Sequence, residues 1–398
     1  MVFVMRACWL FLGLLCGIRW LHPLLTLGPL SLLSLVARRF LLLLMAHPVA
    51  CIAMAAPARA YTLSAYPLAK CLDGSPARYY LSQSGEPSSR VFVFFEGGGF
   101  CRSLSDCQAR AMTRLGSTLR DTPTMTLNRL YFMRSSTDNP VLGSFTFAFV
   151  RYCDGGYFSG ERTSPVIYNG ARLHFNGLWI AQAVFTALRL EHATEVVIGG
   201  CSAGGIHVLA HLDSLRNMLP SSVSVVGFAD SGFYMDVLSF TKLKRFVVSP
   251  NGQNATQLLN RACLAAFPEA REKCLIAQRA VPFLHTPTFV WQSRYDVDQR
   301  SCELTPACAA SRACIDAYAD NLSHAIHTSI DVHNLQHHAR HGAFIDACRR
   351  HCDDNVTLPL NITVDGVTPL QAFGIWYHNH RQKSTALVWE AAGGATTC

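Results

Sequence analysis

Glu195-Val196-Val197-Ile198-Gly199-Gly200-Cys201-Ser202-Ala203-Gly204-Gly205 reads as a short strand, a tight turn and the opening of a helix, built around a G-x-S-x-G pattern. Small residues flank the serine because such a turn is sharp, and a larger side chain would collide with the adjoining strand or helix. The turn lifts the Ser202 hydroxyl out of the sheet toward a base, and the helix N-terminus behind it favours developing negative charge. The five-residue pattern alone is common; its strand and helix context gives it weight as a nucleophile rather than a structural turn.

Working outward, Phe95-Glu96-Gly97-Gly98-Gly99-Phe100 follows a predicted strand and supplies the donors an acyl-transfer serine needs. The N–H groups of Gly98 and Gly99, with that of Ala203, would form an oxyanion hole. Alone, the loop reads equally as a plain turn. In this architecture an acid and a histidine follow the serine in that order. Asp296 lies just beyond the predicted strand Thr288 to Gln292, with Asp298 as a rival; Asp230, in Ala229-Asp230-Ser231-Gly232, reads as a turn or positioning residue. Spacing does not choose the histidine, because nine follow Asp296: His324, His327, His333, His337, His338, His341, His351, His378 and His380. His333, His337 and His341 recur every four residues and would share a helix face able to hold zinc. No carboxylate or cysteine stands at ligand spacing there, so a solvated surface is the expectation and no metal or other cofactor is assigned.

Short β-rich apolar runs alternate with helix-period segments, the pattern of a parallel sheet covered by helices. Strands are expected at Arg90 to Phe95, Phe145 to Tyr152, Glu195 to Ile198, Val223 to Phe228 and Thr288 to Gln292. Helices are expected at Leu173 to Leu190, Gly204 to Met218, Thr256 to Phe267 and Arg312 to Ala339. No repeat or linker interrupts residues 61–398, which read as one α/β catalytic domain of the α/β-hydrolase-like class.

Of 398 residues, 34 are basic and 26 acidic, but Arg6, Arg19, Arg38, Arg39 and Arg59 all precede residue 61 and no acid does. Residues 61–398 therefore hold 29 basic and 26 acidic side chains, no basic stripe, and no case for nucleic acid. Residues 1–60 are apolar runs broken by Arg, His and Pro. Arg38-Arg39, Phe40 to Ala56 and Ala58-Arg59-Ala60 read as a secretory leader cut after Ala60, or a membrane anchor if retained. Sixteen cysteines, three of them in the leader, leave 13 in an exported chain and imply several disulfides. Asn254, Asn321, Asn355 and Asn361 are candidate glycosylation sites.

With these residues in view, the chain resembles the pectin acetylesterase family, which also contains Notum-type protein deacylases. The resemblance rests on seven ordered blocks. They are Cys71 to Pro76, Phe95 to Cys101 with Cys107, Arg151 to Gly155, Gly200 to Gly205, Asp230 to Phe233, Tyr295-Asp296, and Phe344 to Cys352. It implies a secreted, metal-free serine esterase in which Ser202 is the nucleophile, Asp296 the acid and His351 the base. Resemblance, not spacing, thus selects one histidine of nine. It also implies Cys71 with Cys153 and Cys101 with Cys107.

Proximity adds Cys263 with Cys274. Pairing among Cys302, Cys308, Cys314, Cys348, Cys352 and Cys398 stays open, which leaves Cys201 as the odd thiol, expected to be a small core residue. Gly99, where Notum-type members carry an aromatic residue, and the Cys201-Ser202 pair favour a short O-acetyl ester on a carbohydrate. The alternatives are removal of a longer acyl group from a protein, or an exported binding protein with a degenerate site.

Overall fold

The computed structural model describes residues 57–82, 88–337, 341–352, 362–380 and 387–395. All of them lie in the compact unit that runs from Ala53 to Cys398. Ten strands form one sheet: β1 (Pro57–Thr62), β2 (Arg78–Ser82), β3 (Arg90–Phe95), β4 (Thr124–Thr126), β5 (Thr146–Val150), then β8 to β12. β6 (Val166–Tyr168) and β7 (Ala171–Leu173) make a separate hairpin; β8 is Glu195–Cys201, β9 Ser224–Asp230, β10 Thr288–Ser293, β11 Gly342–Asp346 and β12 Leu387–Glu390. The order is β12-β11-β10-β9-β8-β3-β5-β2-β1-β4. Pairing is parallel from β12 through β5 and antiparallel among β5, β2, β1 and β4.

The central strands are apolar on both faces because both faces are covered. Their two-residue period divides the core. Val91, Val93 and Phe95 of β3, with Val196 and Ile198 of β8 and Val225 and Ala229 of β9, enter one apolar cluster. Phe92 and Phe94, with Val197, Val226 and Phe228, enter the other. The first face is covered by α2 (Gly177–Ala187), α3 (Ala203–Arg216) and the long α7 (Arg312–His337), which contributes Tyr318, Leu322, Ile326 and Ile330. The second is covered by the 130–145 segment and by α8 (Pro369–Asn379), whose Phe373 and Trp376 pack on Phe289 of β10. A capping box between Thr368 and Gln371, and Pro369 in the first turn, start α8. Shorter helices are α1 (Leu104–Ala111), α4 (Leu238–Leu243), α5 (Arg261–Ala266) and α6 (Val297–Glu303).

Strand order places the site. From β3 the parallel sheet continues to β5 on one side, and from β8 to β9 on the other, so the connections diverge between two adjacent strands. In an open α/β sheet a crevice forms at the carboxyl ends of such strands. The Gly97–Gly99 loop follows β3 and Ser202 follows β8.

All five expected strands are present, β3 with the expected ends. The helix expected over Thr256 to Phe267 is shorter, Arg261–Ala266, because Asn260 caps it by accepting from the N–H groups of Ala262 and Cys263. Pro57 to Ala60, read as the end of the leader, pair within β1 against β4 and β2, so the sheet begins upstream of the expected boundary. The rest of the leader, Asn355, Asn361 and Cys398 lie outside the described residues. Among the described residues no helix is long and apolar enough to cross a membrane. Asn321 is exposed on α7, and Asn254 is half-buried in a loop.

Disulfides join Cys71–Cys153, Cys101–Cys107 and Cys263–Cys274 as expected, and also Cys308–Cys314 and Cys201–Cys352. Cys348 is disulfide-bonded as well. The reading of Cys201 as the odd thiol is therefore corrected: the free thiol among the described residues is the exposed Cys302. Chain separation hid the pairing, since the two cysteines that adjacent loops bring together stand 151 positions apart.

Candidate active site

Ser202 sits between β8 and α3 with φ 54° and ψ −117°, a left-handed backbone that costs a non-glycine residue about 1–3 kcal/mol. The neighbours hold it there. Its N–H donates to the Asp230 carbonyl at 3.0 Å, and its carbonyl accepts from the Ile206 N–H at 2.8 Å. Gly200 and Gly204 have no room for a side chain: a Cβ on either would run into Gly204 or into the Phe95 carbonyl. These contacts are the physical reason for glycine on both sides of the serine.

The loop after β3 closes on the serine from the other side, where a Cβ on Gly97 would lie 2.9 Å from the Cys201 carbonyl oxygen and from Ser202 Cβ. Gly99 has φ +67°, which glycine adopts freely. The Gly98 carbonyl accepts from Arg110 Nη1 at 2.5 Å, and the Gly99 carbonyl accepts from the Tyr152 hydroxyl. Because C=O and N–H oppose each other across a trans peptide, holding the Gly98 carbonyl outward turns the Gly99 N–H the other way. Among the described residues no acceptor takes the N–H of Gly98, Gly99 or Ala203. Glu96 anchors the loop from behind, paired with the buried Arg151 and with Arg114 at 2.6 Å; Arg151 in turn pairs with Asp121 at 2.9 Å.

Asp296 caps α6, its Oδ1 accepting from the N–H groups of Asp298 and Gln299 at 3.0 and 2.9 Å. Fully buried, it faces His351, whose Nδ1 lies 2.8 Å from both carboxylate oxygens. Asp298, the sequence rival, is instead half-exposed and 3.8 Å from Nε2, with Tyr234 donating to it at 2.9 Å. Burial pushes the His351 imidazolium down, but the hydrogen bond and charge of Asp296, aided by Asp298 and Asp230, outweigh it, and the pKa is raised.

The His351 loop leaves β11 under strong restraint. Arg350, fully desolvated, donates from Nε and Nη2 to Asp346 at 3.0 and 2.8 Å and from Nη1 to Asp230 at 2.9 Å. Its guanidinium lies 4.1 Å from the Trp291 ring centroid. Cys352, bonded to Cys201, donates its N–H to Ser231 Oγ at 2.8 Å. Asp230 thus touches both loops, through Arg350 beside His351 and through its carbonyl to the Ser202 N–H. Arg110 stands outside every block of the resemblance, and Tyr152, Asp346 and Arg350 lie inside blocks that gave them no role; their partners across loops mark all four.

Ser202, His351, Gly98, Gly99 and Ala203 line one cavity of about 730 Å³. Asp296 lies behind its wall. The zinc alternative loses its geometry at His341, which falls outside α7 at the start of β11, buried, with Nδ1 accepting from the Thr288 N–H. The side chains of His333 and His337 lie outside the described residues, and no metal-ligating group of three is found among those described. His378 and His380 end α8 on the opposite face of the sheet.

The pectinacetylesterase family pattern matches residues 59–390. This chain belongs to the pectinacetylesterase family. Pectin acetylesterase 4 of Arabidopsis thaliana is 30% identical over 325 residues, 75% of this chain and 77% of its own. Human palmitoleoyl-protein carboxylesterase NOTUM is 28% identical over 245 residues, 56% of this chain and 47% of its own. The crystal structure of the Drosophila Wnt deacylase Notum superposes with a TM-score of 0.70 at 23% identity, covering 85% of this chain and 97% of that one, which shows a shared fold. As a pectinacetylesterase family member the chain is a carboxylic ester hydrolase, with the mostly parallel sheet, flanking helices and disulfides expected from its sequence.

Proposed function

We propose that this protein is an exported serine esterase that removes O-acetyl groups from a carbohydrate. The observation that carries the reading is the 2.8 Å contact between His351 Nδ1 and Asp296, in the cavity that holds Ser202 and three N–H groups without acceptors. A carboxylate at Nδ1 keeps the ring proton there and leaves the Nε2 lone pair to act as base. Ser202 Oγ attacks the ester carbonyl as His351 Nε2 takes its proton. The tetrahedral oxyanion is held by the N–H groups of Gly98, Gly99 and Ala203. His351 then returns the proton to the departing sugar hydroxyl, and water activated by the same ring hydrolyses the acetyl-Ser202.

Export is supported by the cysteines, since eleven of twelve described are disulfide-bonded, which needs an oxidising compartment. Carbohydrate as the acetyl carrier is supported by pectin acetylesterase 4, of whose own length the alignment spans 77%, against 47% for human NOTUM. The polar side of the cavity, with Arg102, Arg114, Arg129, Asp106 and Asp298, suits a hydroxyl-rich chain.

Turnover of p-nitrophenyl acetate by the wild type, lost in Ser202→Ala with an unchanged melting temperature, is the expected result. Retained turnover overturns it. Failure of a fluorophosphonate to label Ser202 would favour an exported binding protein instead, and a kcat/KM rising from two to sixteen acyl carbons would favour Notum-like deacylation.

A further inference from the structure

Among the described residues Lys244 alone of the lysines is buried, and it is completely so, at the end of α4. Its ammonium nitrogen makes one hydrogen bond, 3.1 Å to the Tyr157 hydroxyl. Otherwise it faces rings: Nζ lies 3.5 Å from the centroid of Phe240, 4.6 Å from Phe100, 5.3 Å from Tyr157 and 5.6 Å from Tyr234. Those four aromatics also line the cavity of Ser202, where with Ile206 and Leu243 they form its apolar side. The cavity ends at the rings, and the lysine fills the space behind them.

We propose that Lys244 is the floor of the acyl subsite and sets the longest acyl group that Ser202 can accept. With an ester carbonyl at the Gly98, Gly99 and Ala203 N–H groups, the acyl carbons have only the aromatic side on which to shed water. An acetyl or similarly short group fits in front of the rings. A longer chain must enter the volume of the lysine stem and amine, displacing the amine from four ring faces and a hydroxyl. That volume is already filled by a fully buried, packed side chain, and a few added methylenes do not offset driving it out of the core. Glu303 is the main opposite charge nearby, and burial still drives the Lys244 ammonium down to about 7, so the amine is a poorly solvated occupant fixed by packing. The inference rests on Ser202 as nucleophile and adds what limits its acyl group.

The test compares wild type, K244A, K244V and K244M on p-nitrophenyl acetate, butyrate and octanoate. Truncation is expected to raise the octanoate-to-acetate ratio of kcat/KM about tenfold or more, K244A exceeding K244V. K244M keeps the length of the stem without the amine and is expected to hold the wild-type ratio within about twofold, as methionine fills a similar volume. An unchanged ratio in folded K244A, or an equal rise in K244M, overturns the proposal. Should both truncations fail to fold, K244M decides: a held ratio agrees and a raised one overturns. A wild type inert toward every ester would instead defeat the nucleophile reading, leaving no ratio to compare.

Discussion

Cys201 and Cys352 are joined by a disulfide that ties the residue before Ser202 to the residue after His351. The turn that carries Ser202 and the loop that carries His351 thereby share one covalent brace beside the cavity. Breaking it in a Cys352→Ala variant is expected to cost about 2–5 kcal/mol of stability and to lower kcat more than it raises KM, since the proton path from Ser202 to His351 loosens. Thermal melting and steady-state kinetics on p-nitrophenyl acetate check both. A variant with wild-type kcat would show that the brace serves stability alone.

Arg350 is the non-covalent counterpart. Its removal in Arg350→Met leaves the carboxylates of Asp230 and Asp346 buried without their cation, expected to destabilise the fold by about 3–5 kcal/mol. Urea denaturation measures this. A loss below about 1 kcal/mol would mean that the two acids take up protons at little cost.

Asp296 holds the His351 pKa above the ordinary 6.5. The base acts only when neutral, so kcat/KM should rise with pH along a limb centred above 6.5 and flatten on the alkaline side. Asp296→Asn is expected to lower kcat about 10⁴-fold and to move that limb downward, because the raising partner is gone. A pH–rate profile unchanged in position would remove Asp296 from its orienting role.

Arg110 and Tyr152 hold the two carbonyls of the glycine loop. Arg110→Met frees the Gly98–Gly99 peptide to rotate, and the expected result is a kcat loss of about 10²-fold with KM nearly constant, as for one lost oxyanion donor. Slower labelling by a fluorophosphonate, whose adduct carries the same oxyanion, distinguishes this from a general packing defect.

His207 and His211 on α3 are both fully buried and in contact, Nδ1 to Nδ1 at 3.0 Å. Burial holds both below the ordinary range, His211 at about 3. Between 6.5 and 3 the unfolded chain therefore binds protons that the native state refuses. The stability these groups give is complete above pH 6.5 and is lost as pH falls toward 3. Melting temperature against pH should decline over that interval, and less steeply in His211→Leu.

The sequence by itself determined the parallel core and the tight strand-to-helix turn that carries Ser202. Strand periodicity and glycine spacing are local: Arg90 to Phe95 must be a buried strand wherever it lies, and Gly200 and Gly204 flank Ser202 at two residues on either side. It also placed Asp296 at a strand end, while the choice of His351 needed a family resemblance, because nine histidines follow and spacing ranks none of them. The tertiary structure alone decided the rest. The Cys201–Cys352 bond, the grip of Arg350 on Asp230 and the contact of Lys244 with Tyr157 join residues 151, 120 and 87 positions apart. Such contacts depend on which strands end side by side at one edge of the sheet, and the order of strands across the sheet leaves no local mark in the chain.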